Sequence, residues 1–137
     1  MRLPRRYAWW GLLALLAVLL GWQMHLSEPE QALAVACPDI VARCELAPAG
    51  LQVRFDHPPR PLQKFQVMVE LPGAQAVHAS FNMRGMEMGF NRYRLLPDGP
   101  GRWQAEVLLP ACIQGRKDWL MTLEVDGRRY ELPFSSL

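Results

Sequence analysis

"DWLMTLEVDGRRYELPF", residues 118–134, is the stretch that decides the fold. Trp119, Met121, Leu123 and Val125 alternate with Leu120, Thr122 and Glu124, which is the two-residue period of a strand with one buried face. Asp126 and Gly127 come next, a dipeptide that favours the tight turn of a β-hairpin. Residues 128–134 then read as the returning strand.

Working upstream, the same texture recurs. Strands are predicted over 51–55 (LQVRF), 64–70 (KFQVMVE), 75–83, 91–96 (NRYRLL) and 101–108 (GRWQAEVL), besides 118–126 and 128–134. Phe65, Val67 and Val69 face one way and Lys64, Gln66, Met68 and Glu70 the other. Val77, Ala79 and Phe81 share a face. Trp103, Ala105 and Val107 alternate with Arg102, Gln104 and Glu106. "LPDGPG" (96–101) is a turn, and "DHPPRP" (56–61) is a connection that no helix would cross. Seven short strands at such spacing predict an all-β domain over 51–137, an immunoglobulin-like β-sandwich of about seven strands. Its length is enough for a modest core.

The first 26 residues have a different texture. Arg2, Arg5 and Arg6 precede an apolar run over residues 7–22, bracketed by Trp9, Trp10 and Trp22. The pattern predicts one N-terminal transmembrane helix over 1–26. A cleaved signal peptide is the competing reading, because Ala34, Val35 and Ala36 precede Cys37. That small-residue site lies far beyond the apolar run, so a retained anchor is the reading adopted. The arginines then stay in the cytoplasm and the rest is exported. This topology also resets the charge. The chain has 15 Lys+Arg and 13 Asp+Glu, and without the three leading arginines 12 bases face 13 acids. No basic footprint for a nucleic acid remains.

Residues 27–50 read as a juxtamembrane linker. Within it "CPDIVARC" (37–44) suggests a local Cys37–Cys44 disulfide suited to an oxidising compartment, with Pro38 and Asp39 helping the segment turn. Bridges from Cys37 or Cys44 to Cys112 are the alternatives; in the first pairing Cys112 is left over. There is no CxxC, no P-loop, no GxGxxG and no nucleophile motif, so no catalytic activity is expected.

One motif carries chemistry. "MRGMEM" (83–88) gathers Met83, Met86 and Met88 around Gly85. Met83 continues the Val77/Ala79/Phe81 face, which makes it a core candidate as well. Met86 and Met88, two apart, share a face if the segment is extended. Thioether sulfur is soft and uncharged, and selects Cu(I) over harder ions. The candidate metal ligands are Met83, Met86 and Met88, with His78 as the nearest nitrogen, although strand parity points His78 away from Met83. His57 is a second nitrogen candidate. Packing, or a sticky partner surface, is an equally weighted explanation of the three methionines.

The stretch "MRGMEMGFNRYRL…GRWQAEVLLP…GRKDWLMTLEVDGRRYELPF" resembles the YtkA-like/FixH-like family of small membrane-anchored β-sandwich domains. Met83, Met86, Met88, Gly101, Trp103, Gly115, Trp119 and Phe134 carry the resemblance. It implies accessory work in copper delivery or cytochrome c oxidase assembly, without catalysis. The implied place is the bacterial inner membrane, single-pass, with the C-terminal domain in the periplasm. The implied partners are oxidase subunits or another copper-handling protein. A metal-free assembly or scaffolding role, with the methionine turn as docking surface, is the alternative. The three cysteines lie outside the family pattern.

Overall fold

The computed structural model describes residues 5–25, 32–47, 49–86, 91–112 and 114–137. In chain order the elements are α1 (Arg5–His25), β1 (Leu33–Ala34), β2 (Cys44–Leu46), β3 (Leu51–Phe55), β4 (Lys64–Glu70), β5 (Val77–Met83), β6 (Arg92–Arg94), β7 (Leu96–Pro97), β8 (Arg102–Leu108), β9 (Asp118–Val125) and β10 (Arg128–Ser135). The chain divides into two units, Met1–Glu30 and Gln31–Leu137.

In the second unit, alternation becomes burial. β4 reads exposed–buried through Phe65, Val67 and Val69, and β9 buries Trp119, Met121, Leu123 and Val125. Two five-stranded sheets result, ordered β1-β10-β9-β5-β6 and β2-β3-β4-β8-β7. Their inner faces form a β-sandwich around one core, the arrangement that hides one apolar face of each sheet from water. Aromatic rings bridge the sheets. Phe65 of one meets Phe81 of the other at 6.1 Å, and Phe55 meets Phe134 edge-on at 5.3 Å.

The decisive hairpin forms as read. Arg128 pairs with Val125 and Ser135 with Asp118. Asp126 and Gly127 both take positive φ, 48° and 89°, the backbone that suits a two-residue turn to strand twist. The first sheet also protects its edge. β1 covers β10 in parallel at Tyr130 and Glu131 only, and Val35 N–H donates to the Glu131 carbonyl. Pro133, two residues on, turns the same backbone side outward, where a missing N–H costs no ladder bond and blocks strand addition.

Three expectations need correction. The strand expected over 91–96 is two short ones in different sheets. β6 pairs with β5, β7 pairs with β8, and the buried Leu95 is the corner between them. Next, the expected linker at 27–50 is largely part of the sandwich. β1 and β2 pair with β10 and β3, while Ile40, Cys44 and Leu46 enter the core. Finally, α1 forms where a transmembrane helix was expected, but among the described residues no helix is long and apolar enough to cross a membrane. The uninterrupted apolar run, residues 7–22, is 16 residues. It rises about 24 Å, short of the roughly 30 Å hydrocarbon core. From residue 9 to 22 every side chain of α1 is exposed, Leu12 at 68% and Leu19 at 55% among them.

Cys37 and Cys44 form a disulfide, with Cα atoms 5.6 Å apart. The enclosed loop is held from inside, since Asp39 Oδ1 accepts N–H bonds from Val41 (2.9 Å) and Ala42 (3.2 Å). It is also tied to β3 by Phe55 N–H donating to the Ile40 carbonyl. The bridge therefore closes a short loop anchored on the core. Reduction is expected to cost about 2–3 kcal/mol, read as a lower urea midpoint with reductant than without. A Cys37→Ala/Cys44→Ala variant should show the same loss and no further response to reductant.

Candidate functional site

The sandwich has two unlike ends. At the β9–β10 turn, polar groups are paired: the Asp126 carboxylate accepts from Gln75 N–H at 3.0 Å and Ala76 N–H at 2.8 Å. The opposite end, where β5 finishes and β9 starts, collects the residues of interest.

There Met83 closes β5 opposite Trp119 and is 2% exposed. The chain turns at once. Met86 N–H donates to the Met83 carbonyl at 3.0 Å, and Gly85, at φ 72°, takes the left-handed position that this turn requires. Met83 and Met86 are bridge partners across the turn. Met86 is half-buried and packs on the core, while Arg84 is exposed. The turn thus brings two of the three candidate methionines together. Met88 lies outside the described residues.

The two histidines exchange rank. His78 stands between Arg94 and Glu124 at the other end of β5, on its outer face. Five residues of strand separate it from Met83, about 17 Å, and the parity is opposite. The structure does not bring His78 to the methionines. His57 lies at the methionine end, in the proline-rich loop, with Nδ1 2.9 Å from Asp56 Oδ1. Among the described residues no group of three His, Cys, Asp or Glu side chains is arranged to hold a metal.

The turn is locked from beside. Arg116 Nη2 donates to the Arg84 carbonyl at 2.9 Å, and its Nε donates to Asp118 Oδ1 at 3.0 Å. The hydrogen bond from Arg116 holds the Asp118 carboxyl below the usual carboxylate range, and the same bond raises Arg116. A depressed carboxyl stabilises the fold fully above its unfolded-state value of about 3.9, and that contribution fades as pH falls through the lower folded value. Asp118→Asn should therefore lower the urea midpoint at pH 7, and the gap to wild type should close as pH drops below about 4. A gap that widened on acidification would contradict this pairing. The pair is half-exposed, so solvent screening keeps the effect small.

A cleft of about 560 Å³ opens at this end, lined by Arg84, Asp118, Trp119, Phe134, Cys37 and Pro59, and a second of about 400 Å³ shares Arg84 and Pro133 with it. Four buried side-chain polar atoms lack partners among the described residues. Three belong to Asn91, Trp119 and Ser136, near this end; the fourth is Arg54 Nε. Sequence reasoning located the methionines but missed this convergence of Arg84, Arg116, Asp118 and the disulfide loop. Strand register brings it about, and no local motif marks it.

Comparison with family models, with curated proteins and with solved structures finds no match to this chain.

Proposed function

We propose that the chain is an envelope accessory protein that handles Cu(I) through methionine thioethers and serves assembly of a respiratory oxidase. The observation that carries this reading is the turn that sets Met86 back against Met83 at the cleft end of the sandwich. Two soft neutral donors there suit a cuprous ion that has to be released again, since thioethers hold it without charge. Met88 is the third donor in this reading, and Met83, as a core residue, contributes from the inner side. The resemblance to the YtkA-like/FixH-like family, with its immunoglobulin-like sandwich, supports the oxidase context.

Inner-membrane attachment through the N-terminal segment belongs to the same reading. From Trp9 to Trp22 α1 carries only apolar residues and exposes its leucines, and a stretch of that kind favours an apolar surrounding. The sandwich is then on the periplasmic side, consistent with its disulfide.

One observation favours a metal-free alternative. Met83 is 2% exposed and Met86 packs on the core, as methionines do when they only fill space. In that case the turn and cleft dock a partner protein.

A Cu(I) titration of the full chain against a competing chelator separates the two. Copper handling predicts one bound Cu(I), weakened at least about tenfold in Met86→Ile/Met88→Ile with an unchanged far-UV spectrum. A wild type that takes no Cu(I) from the chelator leaves the docking role.

A further inference from the structure

We propose that the flank of the sandwich binds a short extended peptide bearing a carboxylate, which adds as a strand to β8 at Glu106. The inference does not depend on the copper reading. Its cleft, of about 360 Å³, shares no residue with the two clefts at the methionine end.

Register carries the argument. Gln66 of β4 lies directly opposite Glu106 of β8. The backbone of Gln66 is engaged on its other side, where its N–H donates to Asp56 Oδ1 at 2.8 Å and its carbonyl accepts from Asp56 N–H at 3.1 Å. Directly opposed residues of an antiparallel pair exchange both bonds or neither. Glu106 therefore turns its N–H and C=O away from β4, to the outer edge of β8. The positions two residues to either side on that edge are covered. Gln104 pairs with Leu96, where β7 begins, because Leu95 is still bonded to the other sheet through its N–H to the Val77 carbonyl. Leu108 is covered by a side chain. Its N–H donates to the Tyr93 hydroxyl at 3.3 Å, and that hydroxyl donates back to its carbonyl at 3.0 Å, so a phenol stands in for a strand. Between these two plugs, Glu106 has no backbone partner among the described residues. The opening from residue 104 to 108 is about 13 Å of strand, which admits about three extended residues.

The chemistry at the opening selects the occupant. A peptide N–H and C=O side by side are matched by another peptide unit, which takes both bonds at once. At the β10 edge Pro133 forbids this, whereas Glu106 still offers its N–H. Tyr93, Arg94 and Leu96 line the cleft beside Glu106. The Glu106 carboxylate is paired with Lys64 at 2.6 Å, and Arg92 with Glu124 at 3.1 Å. Arg94 has no ion-pair partner among the described residues. The unbalanced charge at the cleft is thus a guanidinium, and a carboxylate on the incoming strand complements it. Strand parity places that carboxylate. The peptide residue opposite Glu106 shares the face of Glu106, while its neighbours take the other face, toward β6. The acidic residue therefore belongs one position away from the residue that bonds Glu106.

The test uses the full chain and a blocked pentapeptide, Thr-Glu-Val-Thr-Val, with its amide hydrogens and those of the chain followed by nuclear magnetic resonance. Expected results are a dissociation constant below about 1 mM and exchange of the Glu106 amide hydrogen slowed at least about fivefold at saturation. The exchange measurement needs no variant. N-methylation of the central valine should weaken binding at least about fivefold, and lysine in place of the peptide's glutamate at least about threefold. Glu106→Pro removes an N–H that takes no part in the β4 ladder, so it should weaken binding at least about fivefold with an unchanged far-UV spectrum. Arg94→Ala should bring the glutamate and lysine peptides within about twofold of each other. The inference is overturned if wild type shows no binding at about 1 mM peptide, if the N-methylated peptide binds equally well, or if Glu106 exchange is unchanged at saturation. None of these results bears on Cu(I) at the methionine turn.

Discussion

Phe81→Ala is expected to destabilise the sandwich by about 3–5 kcal/mol and to lower its melting temperature by roughly 12–20 °C. Phe81 has no exposed surface. It stands at the centre of an aromatic chain, with Phe65 at 6.1 Å, Phe134 at 6.1 Å and Tyr93 at 6.0 Å. Those rings come from both sheets, so truncation empties the contact that joins them and β-sheet backbone on both sides limits collapse into the gap. Phe81→Leu, which keeps most of the volume, should cost under about 1.5 kcal/mol. A stability of about 5–15 kcal/mol for a domain of this kind makes the alanine change a large fraction of the whole. Urea melts followed by far-UV circular dichroism read the difference. An alanine loss below about 1 kcal/mol would mean that the sheets are not joined through this ring. The same variant also informs the site, because Phe81 lies two residues before Met83 on the same face. Copper affinity falling in parallel with stability would show that the core positions the turn.

Strands with a partner on each side were legible because their alternation is dictated by the core alone. β4 and β9 show this, and their periods in sequence match their burial in space. β1 and β2 were not legible. Two and three residues carry no period, and what makes them strands is an edge offered by β10 or β3. The split at Leu95 was hidden for a related reason. Arg92, Tyr93, Arg94 and Leu95 alternate as one strand would, while the chain changes sheets at Leu95. Residues 75 and 76 read as strand, yet their N–H groups go to the Asp126 carboxylate and not to a ladder. α1 was legible as an apolar helix, and its insufficient length was also readable from residues 7–22.

For the candidate site, the sequence showed donors but not neighbours. The Gly85 turn that sets Met86 against Met83 follows from local chemistry. The approach of Arg116 to the Arg84 carbonyl does not, since it depends on the path taken between two sheets. His78 illustrates the converse: five residues from Met83 in sequence, it is removed from it by the straightness and parity of a strand.

Asp126→Ala is the second large effect, expected at about 2–4 kcal/mol. Two separate contributions are lost together. The carboxylate accepts N–H bonds from Gln75 and Ala76, and hydrogen bonds to a charged acceptor contribute about 1.5–3 kcal/mol. The backbone at Asp126 also sits at φ 48°, where alanine is strained by roughly 1–2 kcal/mol and Asp or Asn much less. Asp126→Asn keeps the turn conformation and one acceptor oxygen, so it should cost about 1 kcal/mol. Asp126→Gly relieves the strain while losing both bonds, and should fall between Asn and Ala. That order, Asn then Gly then Ala, separates the side-chain role from the backbone role in chemical denaturation. If Gly proved as stable as wild type, the clamp on residues 75–76 would be idle and only the turn would matter. Because this turn lies at the far end from the methionines, none of the three variants should change Cu(I) affinity in the folded state. A copper effect from Asp126 would mean that the two ends of the sandwich are coupled along β5 and β9, the strands that run between them.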